Sequence, residues 1–136
     1  MVDRPVNALD FGREVTRDLA VADSRELTSF GLRSLGPAEP GCQGRYEGGP
    51  VARDGADHQG TVLAWLLGPF AIAHLRVHGD GDAARAFLAP IAHHLREFVV
   101  GSIAEIFDGD APLIPRGCPA QAWSVAETLR AWVHTA

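Results

Sequence analysis

Apolar positions along the chain recur at helical spacing. Phe11, Val15, Leu19 and Ala22 fall at i, i+4, i+8 and i+11, with Arg13, Glu14, Arg17 and Asp18 between them. That pattern predicts an amphipathic helix of about three turns, capped by Asp10. Thr61–His78 is apolar nearly all round (Val62, Leu63, Trp65, Leu66, Leu67, Phe70, Ile72, Leu75, Val77), which predicts a buried helix, kinked at Gly68-Pro69. Gly79-Asp80-Gly81 predicts a tight turn. Asp82–Val99 follows as a second helix, with Phe87, Leu88, Ile91, Leu95 and Phe98 facing inward and Pro90 bending it. The last helix runs over Gln121–His134 and carries Trp123, Val125, Ala126, Leu129 and Trp132. No stretch alternates with a period of two over any length, and no internal repeat is present. The expected fold class is therefore all-α, with about four helices.

Two long loops interrupt this pattern. Leu27–Pro50 is rich in Gly and Pro, with Arg33, Arg45, Tyr46 and Glu47 among them. A structureless loop beyond ~15 residues in a compact domain is usually functional or disordered. The second loop leads from the end of the second helix into the last one. It places one carboxylate, Glu105, in an apolar run (Ile103, Ala104, Ile106, Phe107), followed by Asp108-Gly109-Asp110 and a Pro-rich segment. A carboxylate among apolar neighbours gains proton affinity, as a catalytic acid or base requires. Trp rings nearby offer flat apolar faces to a sugar ring.

Composition narrows the partners. A length of 136 residues fits one domain with a real core. Net charge is −5, and all twelve basic residues are Arg, scattered without a stripe. This argues against nucleic acid or an anionic membrane as partner. No run reaches the ~18 apolar residues of a membrane span, and the N-terminus lacks the apolar core of a signal peptide. The expected location is cytoplasmic. Cys42 and Cys118 have neither disulfide-framework nor zinc-finger spacing. No cofactor and no metal is expected.

Several segments together resemble bacterial glycogen debranching enzymes of the amylo-alpha-1,6-glucosidase type. They are LTSFGLRSL (27–35), GRYEGGPVARD (44–54), HQGTV (58–62), WLLGPF (65–70), EIFDGD (105–110), PRGC (115–118) and AQAWS (120–124). The resemblance covers about Asp10 to Trp132, in order. It implies a glucosidase domain similar to other six-hairpin (α/α)6 barrels, of which residues 1–136 would form the C-terminal third. It implies hydrolysis of α-1,6-linked glucose at glycogen branch points by inversion, with glycogen or a branched α-glucan as substrate. Inversion needs two carboxyl groups ~6.5–9.5 Å apart. By resemblance Glu105 matches the general base, while the general acid would lie upstream of this chain. The missing upstream barrel, or self-association through exposed inner helices, would supply the partner. Departures from the family pattern lie near the expected sugar site. An aromatic is usual where Asp57 stands, Leu63-Ala64 replaces Trp-Pro, and Leu113 stands where His is usual.

Each candidate also has a plainer reading. Glu105 is either the base or an exposed loop carboxylate. His58 and Gln59 either contact sugar hydroxyls or cap the helix expected after them. Gln121 and Trp123, at the start of the last helix, either face the site or, for the indole, pack in the core. Asp108 either reaches a substrate hydroxyl or belongs to a solvated Gly turn; the DGD run lacks the full spacing of a calcium loop. His74, His78, His93 and His94 read as packing or surface histidines, because no HExxH pattern accompanies them. The alternative to the enzyme reading is a catalytically inactive helical fragment, or a carbohydrate-binding or interaction remnant.

Overall fold

The structure is a computed structural model that describes residues 25–136; the helix expected at Phe11–Ala22 lies outside them. The described chain is mostly helical, as the spacing predicts, but it also carries a sheet. Leu32–Arg33 (β1), Val62–Leu63 (β2), Ile106–Phe107 (β3) and Pro115–Arg116 (β4) form an antiparallel sheet in the order β1-β2-β3-β4. The register pairs Leu32 with Leu63, Val62 with Phe107 and Ile106 with Arg116. The all-α expectation is corrected at this point. Each strand is two residues long, too short to show a period of two.

The second strand starts just beyond a helix end. Pro50–Asp57 forms α1, entered through Gly49 with a proline in its first turn, where no backbone N–H partner is needed. The sequence carries little helical signal here, since Ala56 is the one buried residue of the segment. Thr61, fully buried, donates its hydroxyl to the carbonyls of Ala56 (3.0 Å) and Asp57 (3.2 Å), closing the helix end. The chain then extends as β2, so the single helix expected over Thr61–His78 begins later. A 3₁₀ turn covers Ala64–Leu66, and α2 runs over Leu67–His78. Gly68 and Pro69 lie in the first turn of α2, where a proline costs no hydrogen bond. Gly68 is there because a Cβ would overlap the Glu127 backbone of the last helix.

Gly79 closes α2 with a left-handed φ of 69°, and Asp80 caps the next helix by accepting from the Ala83 N–H at 2.9 Å. The helix expected over Asp82–Val99 is broken. Gly81–Ala86 (α3) and Ala89–His94 (α4) are separated at Phe87-Leu88, and Pro90 takes the first turn of α4. The last helix, α5, spans Ala122–His134, with Gln121 as its N-cap residue. The core is built from β2, α2, α4, β3 and one face of α5: Val62, Leu67, Ala71, Ile72, Leu88, Ile91, Phe107 and Ala131 are buried together. Phe30 stacks on Phe107 at 4.5 Å between ring centres, and the buried His94 ring meets Phe107 edge-on at 4.9 Å. Among the described residues no helix is long and apolar enough to cross a membrane.

Candidate functional site

The segment carrying Glu105 is held by backbone on both sides. Its N–H donates to the Cys118 carbonyl at 2.9 Å, and its carbonyl accepts from Ala64 N–H at 3.3 Å. Gln121 N–H reaches back to the Ile103 carbonyl at 2.9 Å, tying the start of α5 to the same strand. The side chain is fixed as firmly. Cys118 N–H donates to Oε2 at 2.8 Å, and the Gln121 side-chain amide donates to Oε1 at 2.9 Å. Both carboxylate oxygens of this half-buried group thus have a defined direction.

Glu105 opens onto a cavity of about 290 Å³. Its wall combines the end of α1 (Asp57, His58), β2 with the following turn (Leu63, Trp65), Glu105, and the start of α5 (Gln121, Trp123). The Trp65 and Trp123 rings meet edge-to-face at 6.2 Å between centres, and Trp123 is 69% exposed. The volume suits a single small ring, at the lower end of the range for ligand sites. Four of the residues singled out in the sequence therefore converge: Glu105, His58, Gln121 and Trp123. His58 does so as the C-cap of α1; the helix it was expected to start begins only at Leu67.

Gln59 and Asp108 take other places. The Gln59 side chain accepts from Gln43 Nε2 at 3.0 Å and lies outside the cavity wall. Asp108 has no exposed surface. Arg116 donates to it through Nε (3.2 Å to each oxygen) and Nη2 (3.0 Å), Tyr46 N–H adds a bond at 3.0 Å, and Arg45 stands 3.9 Å away. The bond to Asp108 raises the Arg116 pKa above its ordinary value. Gly109 and Asp110 N–H groups both donate to the Gly44 carbonyl, at 2.7 and 3.1 Å. The acidic Gly turn thereby anchors the 42–47 loop beside the site. Among the described residues no three His, Cys, Asp or Glu side chains converge as a metal site.

Asp57 is the wall residue that sequence reading did not select. Its Oδ1 is buried and meets no hydrogen-bond donor. Burial raises its pKa; the charges of Glu105 and Asp54 add to that, and His58 opposes it. Trp65, read as core from its helical spacing, also faces the cavity. The resemblance places Asp57 near the expected sugar site only as a departure from the usual aromatic, and Trp65 only as part of a matching segment; the fold brings both to Glu105.

An oriented carboxylate beside two indoles on a mostly helical scaffold offers an acid–base group next to flat apolar faces. A family model for amylo-alpha-1,6-glucosidase matches residues 11–130. The chain belongs to that family, the C-terminal domain of glycogen debranching enzymes. No curated protein matches the chain.

Proposed function

We propose that the chain forms the base-bearing, C-terminal third of an (α/α)6 glucosidase domain that hydrolyses α-1,6-linked glucose at branch points of a glycogen-like glucan, with inversion. The observation that carries this reading is the Glu105 carboxylate, held through both oxygens at the mouth of a cavity walled by Trp65 and Trp123. An anchored carboxylate can take a proton from water attacking the anomeric carbon. The Trp faces stack on the sugar ring, and His58 stands at the rim for its hydroxyls. Gln121 orients Glu105. Gln59 and Asp108 hold the neighbouring loops, and the reading assigns them no sugar contact.

The test joins this chain to the upstream part of a related enzyme. A base acts in the transition state, so Glu105→Gln should lower kcat by at least about a hundredfold and leave KM nearly unchanged. Retention of most of the turnover would reduce the family resemblance to fold alone. A non-catalytic interaction role is favoured by a different observation, the exposed apolar residues Leu129 and Val133 on α5. It predicts binding of branched dextrin or of a protein partner without glucose release in the joined enzyme.

A further inference from the structure

Asp108 has no exposed surface, yet it carries a carboxylate. It stands two residues beyond Ile106, which pairs with Arg116 across the β3–β4 hairpin, so Asp108 and Arg116 are diagonal neighbours on one face. Arg116 crosses to the carboxylate with hydrogen bonds of 3.0–3.2 Å from Nε and Nη2. The 42–47 loop adds the Tyr46 N–H at 3.0 Å and the Arg45 guanidinium at 3.9 Å. A charge buried in this way is a weak source of stability. Desolvation offsets much of the attraction, and two well-packed apolar side chains serve a core as well or better. What an apolar pair lacks is direction. A forked guanidinium fixes a carboxylate in angle as well as in distance.

We propose that Asp108, acting through Arg116, is a positioning residue for Glu105. The inference rests on the glucan-cleaving reading above for the use to which that positioning is put. The link between the two carboxylates is short. Arg116 is followed by Gly117, with its φ of 65°, and then by Cys118. Cys118 N–H holds Glu105 Oε2 at 2.8 Å, and the Cys118 carbonyl accepts from Glu105 N–H at 2.9 Å. Pinning the Arg116 side chain to Asp108 sets the direction in which the chain leaves β4, and with it where the Cys118 N–H points. Asp108 also closes the hairpin through its backbone, donating its N–H to the Ile114 carbonyl at 2.9 Å. Glu105 and Asp108 thus bracket β3, and each is bonded across to the strand opposite.

The same carboxylate reaches the other wall of the cavity. At one end the 42–47 loop is bonded to Asp108 through Tyr46, and its Gly44 carbonyl accepts from the Gly109 and Asp110 N–H groups. At the other end Gln43 donates its backbone N–H to the Gln59 carbonyl, and its side-chain amide donates to Gln59 Oε1 at 3.0 Å. A Cβ on Gly60 would come within 2.7 Å of Cys42 Sγ, so loop and chain are in close contact there. Gln59 directly follows His58, the rim residue at the end of α1. One chain of bonds therefore runs from the segment that bears Glu105, through Asp108 and the loop, to His58.

The experiment separates direction from burial. Asp108→Asn keeps the shape and removes the charge. The double variant Asp108→Leu, Arg116→Met replaces the pair with apolar packing and should recover most of the stability that Asp108→Asn loses. Amide exchange on the 136-residue chain reads the Cys118 N–H, with the Gly79 N–H at the end of α2 as reference. In both variants exchange at Cys118 should rise at least about tenfold while Gly79 stays close to native. In the chain joined to the upstream part of a related enzyme, both variants should lower kcat by about ten- to a hundredfold and leave KM nearly unchanged. A purely structural pair behaves otherwise: the double variant would regain native Cys118 protection or native kcat, and either result overturns the proposal. Exchange that rises equally at Cys118 and Gly79 in both variants does the same. Glu105→Gln that kept most of the turnover of the joined enzyme would remove the glucan-cleaving reading, and the Cys118 exchange would still decide whether Asp108 holds the partner of Glu105.

Discussion

A Cβ on Gly117 would come within 2.8 Å of Glu105 Oε2, and Gly117 itself has a left-handed φ of 65°. One glycine thus satisfies two demands. It turns the chain after β4, and it leaves room for the carboxylate that accepts from the next N–H.

Gly117→Ala therefore strains the backbone and displaces Glu105 together. The left-handed conformation alone costs about 1–2 kcal/mol for a residue with a Cβ. In the joined enzyme, a misplaced base should lower kcat by up to about 10²-fold. Steady-state kinetics beside thermal unfolding separate the two effects. Native kcat in a destabilised Gly117→Ala would show that Glu105 does not need this space.

Arg116→Met leaves the Asp108 carboxylate buried with the Tyr46 N–H and the more distant Arg45 as partners. Removing one side of a buried charge pair is costly. Arg116 is partly exposed and Arg45 stands near, so the expected loss is about 3 kcal/mol or somewhat less, at the bottom of the ~3–5 kcal/mol that breaking a fully buried pair costs. The double variant Arg116→Met, Asp108→Asn should lose less than the single one, because no unpaired charge remains. Urea unfolding reads both.

His94 gives stability a pH dependence. Burial lowers its pKa, with Glu97 opposing. Its folded pKa therefore lies below the unfolded value of about 6.5. Its contribution is complete above that value and is lost as pH falls from there through the folded pKa. The His74 pKa, lowered by burial and by His78, acts in the same direction. Asp57, with a raised pKa, has the opposite sign: its contribution is complete below the ordinary aspartate value and is lost as pH rises through its folded pKa. Urea unfolding at pH 7.5 and 5 should show lower stability in acid. His94→Leu should flatten that slope; an unchanged slope would clear His94.

Leu129, 61% exposed, lines an apolar hollow of about 200 Å³ between α4 and α5 with Ala92, Leu95, Thr128 and Trp132, and Val133, one turn further along α5, is 73% exposed. Exposed apolar surface of this kind drives association. The 136-residue chain should run larger than a monomer in light scattering, and Leu129→Glu should shift it toward monomer. A native chain that stays monomeric at high concentration would count against the barrel-fragment reading.

The long-range order of this fold was legible where one element carries its own signal. The Gly79 turn, the body of α2 and the whole of α5 follow from apolar spacing and a left-handed glycine. The four strands were not, since two residues cannot show a period and their pairing joins Leu32 to Leu63 and Val62 to Phe107 across long intervals. The break at Phe87-Leu88 was hidden because both residues keep the inward-facing rhythm of a single helix. In the site, Glu105, Gln121 and Trp123 were legible through the family motifs that contain them. Asp57 looked like a loss beside His58, a missing aromatic. Its place in the cavity wall becomes visible only once α1 ends beside the segment that bears Glu105.

The edge-to-face contact of Trp65 with Trp123 has a consequence for observing this molecule. Two of its three indoles stand close enough for their electronic transitions to couple. They come from the turn after β2 and from the first turn of α5, so the coupling exists only while those two pieces are docked. The chain therefore carries an intrinsic optical gauge of its own pocket: the exciton band in circular dichroism should vanish when the cavity opens, even where the helices on either side survive.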